Sequence, residues 1–294
     1  LEICLKENIL LLDHVIVTAL GLEKKESSLA YAVQKVRGEE LNRVKEVNMI
    51  TALAGKAAGV QVSKNSSGMG GSAKVSIRGV RSVAGDNQPL YVIDGVPMLN
   101  STSEQSYSAI GGTANAGNRD GGDGISNLNP EDVESISILK GAPAAALYGS
   151  QAANGVILIT TKKGNTVGRR DIHFSTGLTF EKAFSLPEMQ NSYGVSDVTD
   201  SWGEKENLTV YDNLGDFFRT GLTSITSVSV NSGNDKLQTY FSYANTTGRG
   251  ILNENKLSKH NINLRETAVL FNSRLKLDGN VNVMKQTVKN KPVS

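Results

Sequence analysis

Two periodicities divide this chain. After residue 170, apolar and polar residues alternate with a period of two. Ile172, Phe174, Leu178 and Phe180 form the first series, Ile225, Val228 and Val230 the second, and Leu237, Tyr240, Phe241 and Tyr243 the third. Lys259–Glu266, with Ile262 and Leu264 beside Asn261 and Asn263, and Phe271–Val288, with Leu275, Leu277, Val281 and Val283, complete the pattern. Successive side chains of a strand point to opposite faces, so this pattern predicts about five strands of roughly 8–12 residues. The tetrapeptide SGND at 232–235 is a hairpin signal, and short connections make the strands antiparallel. One face is apolar and the other is rich in Ser, Asn, Thr and Lys. In a soluble sandwich the apolar face would meet a second sheet. In an outer-membrane barrel it would meet lipid, and the polar face would line a wet lumen.

Before residue 165 the apolar runs are short and unbroken. In LNPEDVESISILKGAPAAALYGSQAANGVILITTKKG, residues 128–164, the runs Ile136–Leu139 and Val156–Thr161 flank a helix of small residues. Neither run stays soluble unless paired in a sheet. Asn129 caps and Pro130 opens a helical turn, with Glu131 and Asp132 at its positive end. Upstream, Tyr31, Val33 and Lys35 mark a short strand, and Val60–Val62, Ala73–Arg78 and Pro89–Asp94 mark others, the last closed by an Asp94–Gly95 turn. Asn48 caps a helix predicted over 49–58. Ile50, Leu53, Ala54 and Ala57 share its face, and Gly59 supplies its left-handed end. Asp13–Gly21 is β-prone and runs into the charged stretch Glu23–Ser28, while residues 100–127 are polar, glycine-rich and aperiodic, a long loop.

Composition changes at the same place as the periodicity. Residues 1–170 hold 21 of the 30 glycines and 4 of the 16 aromatic residues. The boundary falls near Gly164–Arg170, a polar, basic linker at 165–170. With 31 basic against 29 acidic residues, no nucleic-acid partner is implied. The single cysteine, Cys4, excludes an internal disulfide framework and a cysteine zinc site. No run of 18 apolar residues encodes a transmembrane helix, which leaves a membrane barrel open. Leu1–Val17 carries Glu2, Lys6, Glu7 and Asp13 and is not a signal peptide. The chain reads as a piece of a longer protein, with residues 1–12 the end of a preceding domain.

Candidate chemistry is sparse. Gly68-Met69-Gly70-Gly71-Ser72-Ala73 has the letters of a dinucleotide loop but leads into a predicted strand, where that fingerprint must open a helix. Asp120-Gly121-Gly122-Asp123 suggests a calcium loop without the spacing of one. His14, His173 and His260 have no neighbouring ligand pattern, so no metal is assigned. No hydrolase motif occurs, and neither a catalytic residue nor a cofactor is expected. Phe174, Phe180, Tyr240, Phe241, Tyr243 and Trp202 suit a membrane-interface girdle, sheet packing or contact with a ligand.

Several motifs in order resemble one family. DHVIVTALG at 13–21, LAGKAAGVQV at 53–62, VSIRG at 75–79, PLYVIDGVP at 89–97, the stretch 129–164 and FFRTG at 217–221 are similar to the plug and first barrel strands of TonB-dependent outer-membrane receptors of the SusC/RagA group. The resemblance implies an α+β plug at 22–164, a small mixed sheet with short helices, followed at 171–294 by antiparallel strands of an incomplete transmembrane barrel. It implies no enzyme. It implies a receptor that imports an oligomeric nutrient, a glycan or peptide, across the outer membrane. The expected partners are a SusD-like lipoprotein on the outer mouth, the TonB complex below and membrane lipid around the strands. A segment at 13–21 would face the periplasm and offer Val15, Ile16, Val17, Thr18 and Ala19 to TonB, captured as an added strand.

Where many such receptors read E-R-I-E-V-L-R-G-P, this chain has Glu134-Ser-Ile-Ser-Ile-Leu-Lys-Gly141-Ala142. Ser137 replaces the usual acidic residue, and His14 the usual glutamate near the TonB segment. Arg78, Arg81, Glu134 and Lys140 are the expected plug-to-barrel contacts. The family barrel has 22 strands, which at about 10 residues each need about 220 residues before loops. Only 124 follow Arg170, so a fragment is expected. The alternative is a soluble surface β-sandwich, an adhesin or binding module, in which the apolar face is covered.

Overall fold

The computed structural model describes residues 15–17, 23–25, 33–64, 68–82, 87–98, 100, 104–105, 119–120, 122–166, 168–188, 190, 192–195, 197, 203–205, 212–271 and 274–289. Cys4, His14, Thr18, Ala19 and Trp202, and most of the expected loop at 100–127, lie outside them.

At the start, β1 (Val15–Val17) pairs antiparallel with β2 (Glu23–Lys25), Val15 opposite Lys25 and Val17 opposite Glu23. A globule follows. β3 (Val33–Arg37) runs into the short helix α1 (Gly38–Leu41), where a Cβ on Gly38 would overlap the carbonyl oxygen of Val133. The helix expected over 49–58 is a single 3₁₀ turn, Thr51–Leu53. Asn48 does cap it, its Oδ1 accepting from Ile50 N at 2.9 Å. The turn stops early because Gly55 takes φ +73°, a left-handed conformation that ends a helix five residues short of the expected end. Ile50, Leu53 and Ala57 are buried as their spacing requires, but Ala54 is exposed.

β4 (Val60–Lys64) and β5 (Ala73–Ile77) form an antiparallel pair. The glycines at 68–71 therefore lead into a strand, as the sequence indicates, which removes the dinucleotide reading. β6 (Leu90–Ile93) turns through Asp94 and Gly95, φ +48° and +88°, into β7 (Val96–Met98). The two-residue strands β8 (Glu104–Gln105) and β9 (Arg119–Asp120) pair with each other. Asp123 is consumed as a cap: Oδ1 accepts from Ser126 N at 2.8 Å and Oδ2 from Ala73 N at 2.9 Å. A 3₁₀ turn at Pro130–Asp132 then delivers the chain to β10 (Val133–Leu139), α2 (Ala142–Tyr148) and β11 (Val156–Thr161).

The globule's five-stranded sheet has the order β3-β10-β11-β6-β7. β11 pairs parallel with β6 and the other neighbours are antiparallel, so the sheet is mixed. Ile136, Ile138, Ile157 and Ile159 of its central strands are buried with Met49, Ile50, Leu53 and Tyr91. A second cluster, Val92, Leu139, Val156 and Leu158, packs against Ala144 and Ala152. Apolar burial at about 25 cal/mol per Å² holds this unit together.

Beyond the linker stand five long strands in sequential antiparallel order: β12 (Arg170–Glu181), β13 (Gly221–Gly233) after the short helix α3 (Asn213–Phe217), β14 (Leu237–Arg249), β15 (Lys256–Leu270) and β16 (Leu275–Lys289). β12, at 12 residues, is at the upper end of the expected length, and the other four, at 13–15, exceed it. The register holds without a bulge, so cross-strand rows can be read directly: Phe174, Val228, Tyr243, Ile262 and Val283 form one row, and Ile172, Val230, Phe241, Leu264 and Val281 the next.

Candidate functional site: the seam between globule and wall

The wall is inside out relative to a soluble sheet. Its buried face carries Thr223, Ser227, Tyr240, Ser242, Thr246, Lys259, Asn261, Asn263 and Arg265. Its other face carries Ile172, Phe174, Phe180, Ile262, Val281 and Val283, all exposed. The polar face is the one that meets the globule, and four sets of side chains fasten the two.

Arg265 of β15 is the hub of the first. It is only 5% exposed. Its Nε and Nη2 grip Asp278 of β16 in a two-pronged pair at 2.9 and 2.8 Å. Its Nη1 reaches the globule, to Asp94 Oδ2 at 2.9 Å and Thr161 Oγ1 at 2.5 Å. Asp94 itself bonds the end of β11, accepting from Thr161 N at 3.0 Å. The turn residue that reverses β6 into β7 is thereby also the globule's anchor.

Asp132, fully buried, centres the second. Its Oδ1 accepts from Ser242 Oγ at 2.5 Å and Tyr240 Oη at 3.0 Å. Burial pushes its carboxyl above the ordinary value of 3.8, although these hydrogen bonds and nearby Lys162 pull the other way. The third set is Lys45, which bonds both Glu131 and Ser175 of β12. Gly177 makes room for it, since a Cβ there would press on the Lys45 stem. Burial, with Lys162 nearby, holds the Lys45 ammonium below its usual range. The fourth is a pair of backbone contacts. Lys259 Nζ donates to Ser126 O at 2.6 Å, and Asn261 Nδ2 to Asn127 O at 2.8 Å. At the far end of the seam, Met69 packs where a Cβ on Gly248 would stand. A 440 Å³ cavity lies there, between the 46–51 and 68–72 segments of the globule and residues 250–255 of the wall.

The four residues expected to contact the barrel lie away from these five strands. Lys140 bonds Gln34 and the carbonyl of Ala58, Arg81 Nη1 bonds Ala153 O at 3.1 Å, and the Arg78 guanidinium lies over Gly141. Glu134 is exposed. None of the four touches the five wall strands among the described contacts. Arg265, Asp94, Asp132 and Lys45 hold the seam with these five strands. Tyr240, grouped in the sequence with the aromatic residues of the apolar face, points the other way and is buried on Asp132.

Residues 25–156 match the TonB-dependent Receptor Plug Domain. Over nearly the whole chain the sequence is also similar to the TonB-dependent receptor SusC of Bacteroides thetaiotaomicron, 31% identical over 97% of this chain and 27% of that protein. The chain belongs to the TonB-dependent receptors, in the SusC/RagA group. TonB-dependent receptor P26 of Formosa agariphila is 35% identical over 60% of this chain and 16% of its own length. Among solved structures, the RagAB peptide importer in its open-open state superposes with a TM-score of 0.71 at 25% identity, over 94% of this chain and 32% of that one. This chain thus spans about a third or less of each of these relatives. In receptor terms the globule is the plug, the five strands are barrel wall, and the seam is where plug meets barrel.

Proposed function

We propose that this chain is the plug and first wall strands of an outer-membrane importer for an oligomeric nutrient, a glycan or a peptide. The observation that carries the reading is the inverted wall: a polar face bonded to the plug and an apolar face left for lipid. A surface β-sandwich would cover Phe174, Ile262 and Val283, which stand exposed. The likeness to SusC and to a peptide importer supports import over adhesion. We assign residues 1–12 to a preceding unit, 13–21 to the TonB-facing segment, 22–164 to the plug, 165–170 to the linker and 171–294 to the wall. The wall end at Arg170, nearest the linker, faces the periplasm. A SusD-like lipoprotein works at the opposite mouth. Any barrel contact of Arg78, Arg81, Glu134 or Lys140 is with strands other than these five.

In this reading Val15, Ile16, Val17, Thr18 and Ala19 are the strand handed to TonB. β1 is already paired with β2, and three residue pairs are few enough to exchange for a partner strand. The test deletes Val15–Ala19 from the complete receptor. Growth on the oligomeric nutrient is expected to stop while surface binding of that nutrient persists. Unimpaired growth would refute the TonB assignment, and a receptor absent from the outer-membrane fraction would refute the importer reading itself.

A further inference from the structure

The outward face of the wall is not uniformly apolar. Arg249 of β14 pairs with Lys256 of β15, which pairs with Lys289 of β16. The three cations therefore occupy one cross-strand row on one face, within about 10 Å at the 4.7–4.9 Å spacing of strands. All three are exposed. The same row on β12 and β13 carries Phe180 and Leu222, so the charge belongs to one patch and is not a general rim. Two residues inward comes a row of hydroxyls, Thr247, Ser258 and Thr287, and then Asn245, His260 and Lys285. Only after these does the apolar row Tyr243, Ile262 and Val283 begin. From the cations to the apolar row is six residues, about 15 Å along the membrane normal for strands tilted near 40°.

Like charges directly opposite one another on neighbouring strands repel. The carboxylate that answers them is Glu254, in the turn between β14 and β15, whose Oε2 pairs with Lys256 Nζ at 2.7 Å. Lys256, with Arg219 and Arg249 nearby, holds its carboxyl below the usual range. One carboxylate leaves the row with surplus positive charge. A row of cations above a row of hydroxyls, bordering an apolar surface, is the chemistry that holds a phosphate whose attached chains lie in hydrocarbon.

We propose that Arg249, Lys256 and Lys289 form a docking site for the phosphorylated headgroup of an outer-leaflet lipid. This rests on the importer reading, which puts the apolar face in a bilayer and this end of the wall outward. The lipid is held on β14–β16, so it braces the strands whose inner face carries Tyr240, Ser242 and Arg265, the plug's own anchors.

The test inserts the complete receptor into nanodiscs holding equal amounts of bis-phosphorylated and dephosphorylated lipid A, and counts the lipids retained by native mass spectrometry. Each cation near a charged lipid surface contributes about 1 kcal/mol, or roughly fivefold, and Glu254 offsets part of it. The native receptor is expected to favour the phosphorylated lipid by about thirtyfold or more, and the Arg249→Gln/Lys256→Gln/Lys289→Gln variant to show little preference. Equal retention by native protein and variant overturns the site, as does a native receptor with no preference. A native receptor that never enters the nanodisc overturns the importer reading beneath it, a different failure read in the same preparation.

Discussion

In the plug, Ile136, Ile138, Ile157 and Ile159 point at one another and are shut away from solvent. In the wall, Tyr240, Ser242, Asn261 and Arg265 point inward, while Phe174, Ile262 and Val283 point out. Both regions contain strands of alternating or continuous apolar residues, yet one hides its hydrocarbon and the other displays it. The plug is therefore stabilised by its own core, and its attachment to the wall is polar. A polar seam is directional and depends on few side chains. It is strong while every group is paired and weak once one is lost, because the partner left behind stays buried and unsatisfied. The two regions thus divide the work: cohesion inside the globule, replaceable bonds at its edge.

The sharpest way to break the comparison is at Arg265. Arg265→Ala leaves Asp94 and Asp278 without their shared cation at a largely buried site. We expect a loss of about 3–5 kcal/mol, seen as plug release at lower urea in the detergent-solubilised receptor, while a receptor lacking the plug and carrying the same substitution melts unchanged. The same loss in the plug-less barrel would mean that Arg265 supports the wall, through Asp278, and not the seam. Next in size is Ile262→Arg. On a lipid-facing strand it costs about 2–4 kcal/mol near the bilayer midplane, measured by reversible folding into vesicles. On a water-facing sheet it would cost almost nothing.

How much of this was legible beforehand follows from the range of each signal. Period-two alternation is local, so the wall strands stood out, and a polar face with an apolar reverse already posed the choice between lipid and a second sheet. The short apolar runs at 136–139 and 156–161 gave the plug's central strands. The helix over 49–58 failed because the pattern of Ile50, Leu53 and Ala57 does not register that Gly55 turns left-handed. The seam was least visible. Arg265 follows Asn261 and Asn263 on the polar face, so its direction was readable, but Asp94 lies 171 residues away in the chain. Asp94 and Asp132 were explained by local roles, a turn and a helix end, and those roles are real. Nothing local marks a turn carboxylate as also an anchor.

Asp132 gives a smaller effect with a sign that separates charge from hydrogen bonding. Its folded pKa is raised by burial, so between 3.8 and that raised value the folded seam binds more protons than the released state. Stability then falls as pH rises through this window and is flat well above and below it. Asp132→Asn keeps an oxygen acceptor for Tyr240 and Ser242 without the buried charge. It should flatten the pH dependence and leave the seam at neutral pH as stable or slightly more so. Asp132→Ala removes the acceptor and should cost about 1–3 kcal/mol. If Asn and Ala weaken plug release equally, the charge itself holds the seam and the directional account fails.

The smallest effect tests whether the seam extends to the loop at 68–72. A Cβ at Gly248 would overlap Met69 Cε, and one at Gly70 would come within 2.9 Å of Val288 Cγ2. Both sides of this contact are therefore shaped for each other. Methionine is flexible and can withdraw, so Gly248→Ala should cost only about 1 kcal/mol in plug release. The informative quantity is the coupling. Met69→Ala alone removes packing, but in combination with Gly248→Ala it removes the clash, so the double variant should be less destabilised than the sum of the two singles by about 0.5–1 kcal/mol. Strict additivity would mean that the loop does not sit on the wall in solution. The seam would then end at Lys259, and the plug would be fastened along the polar rows alone.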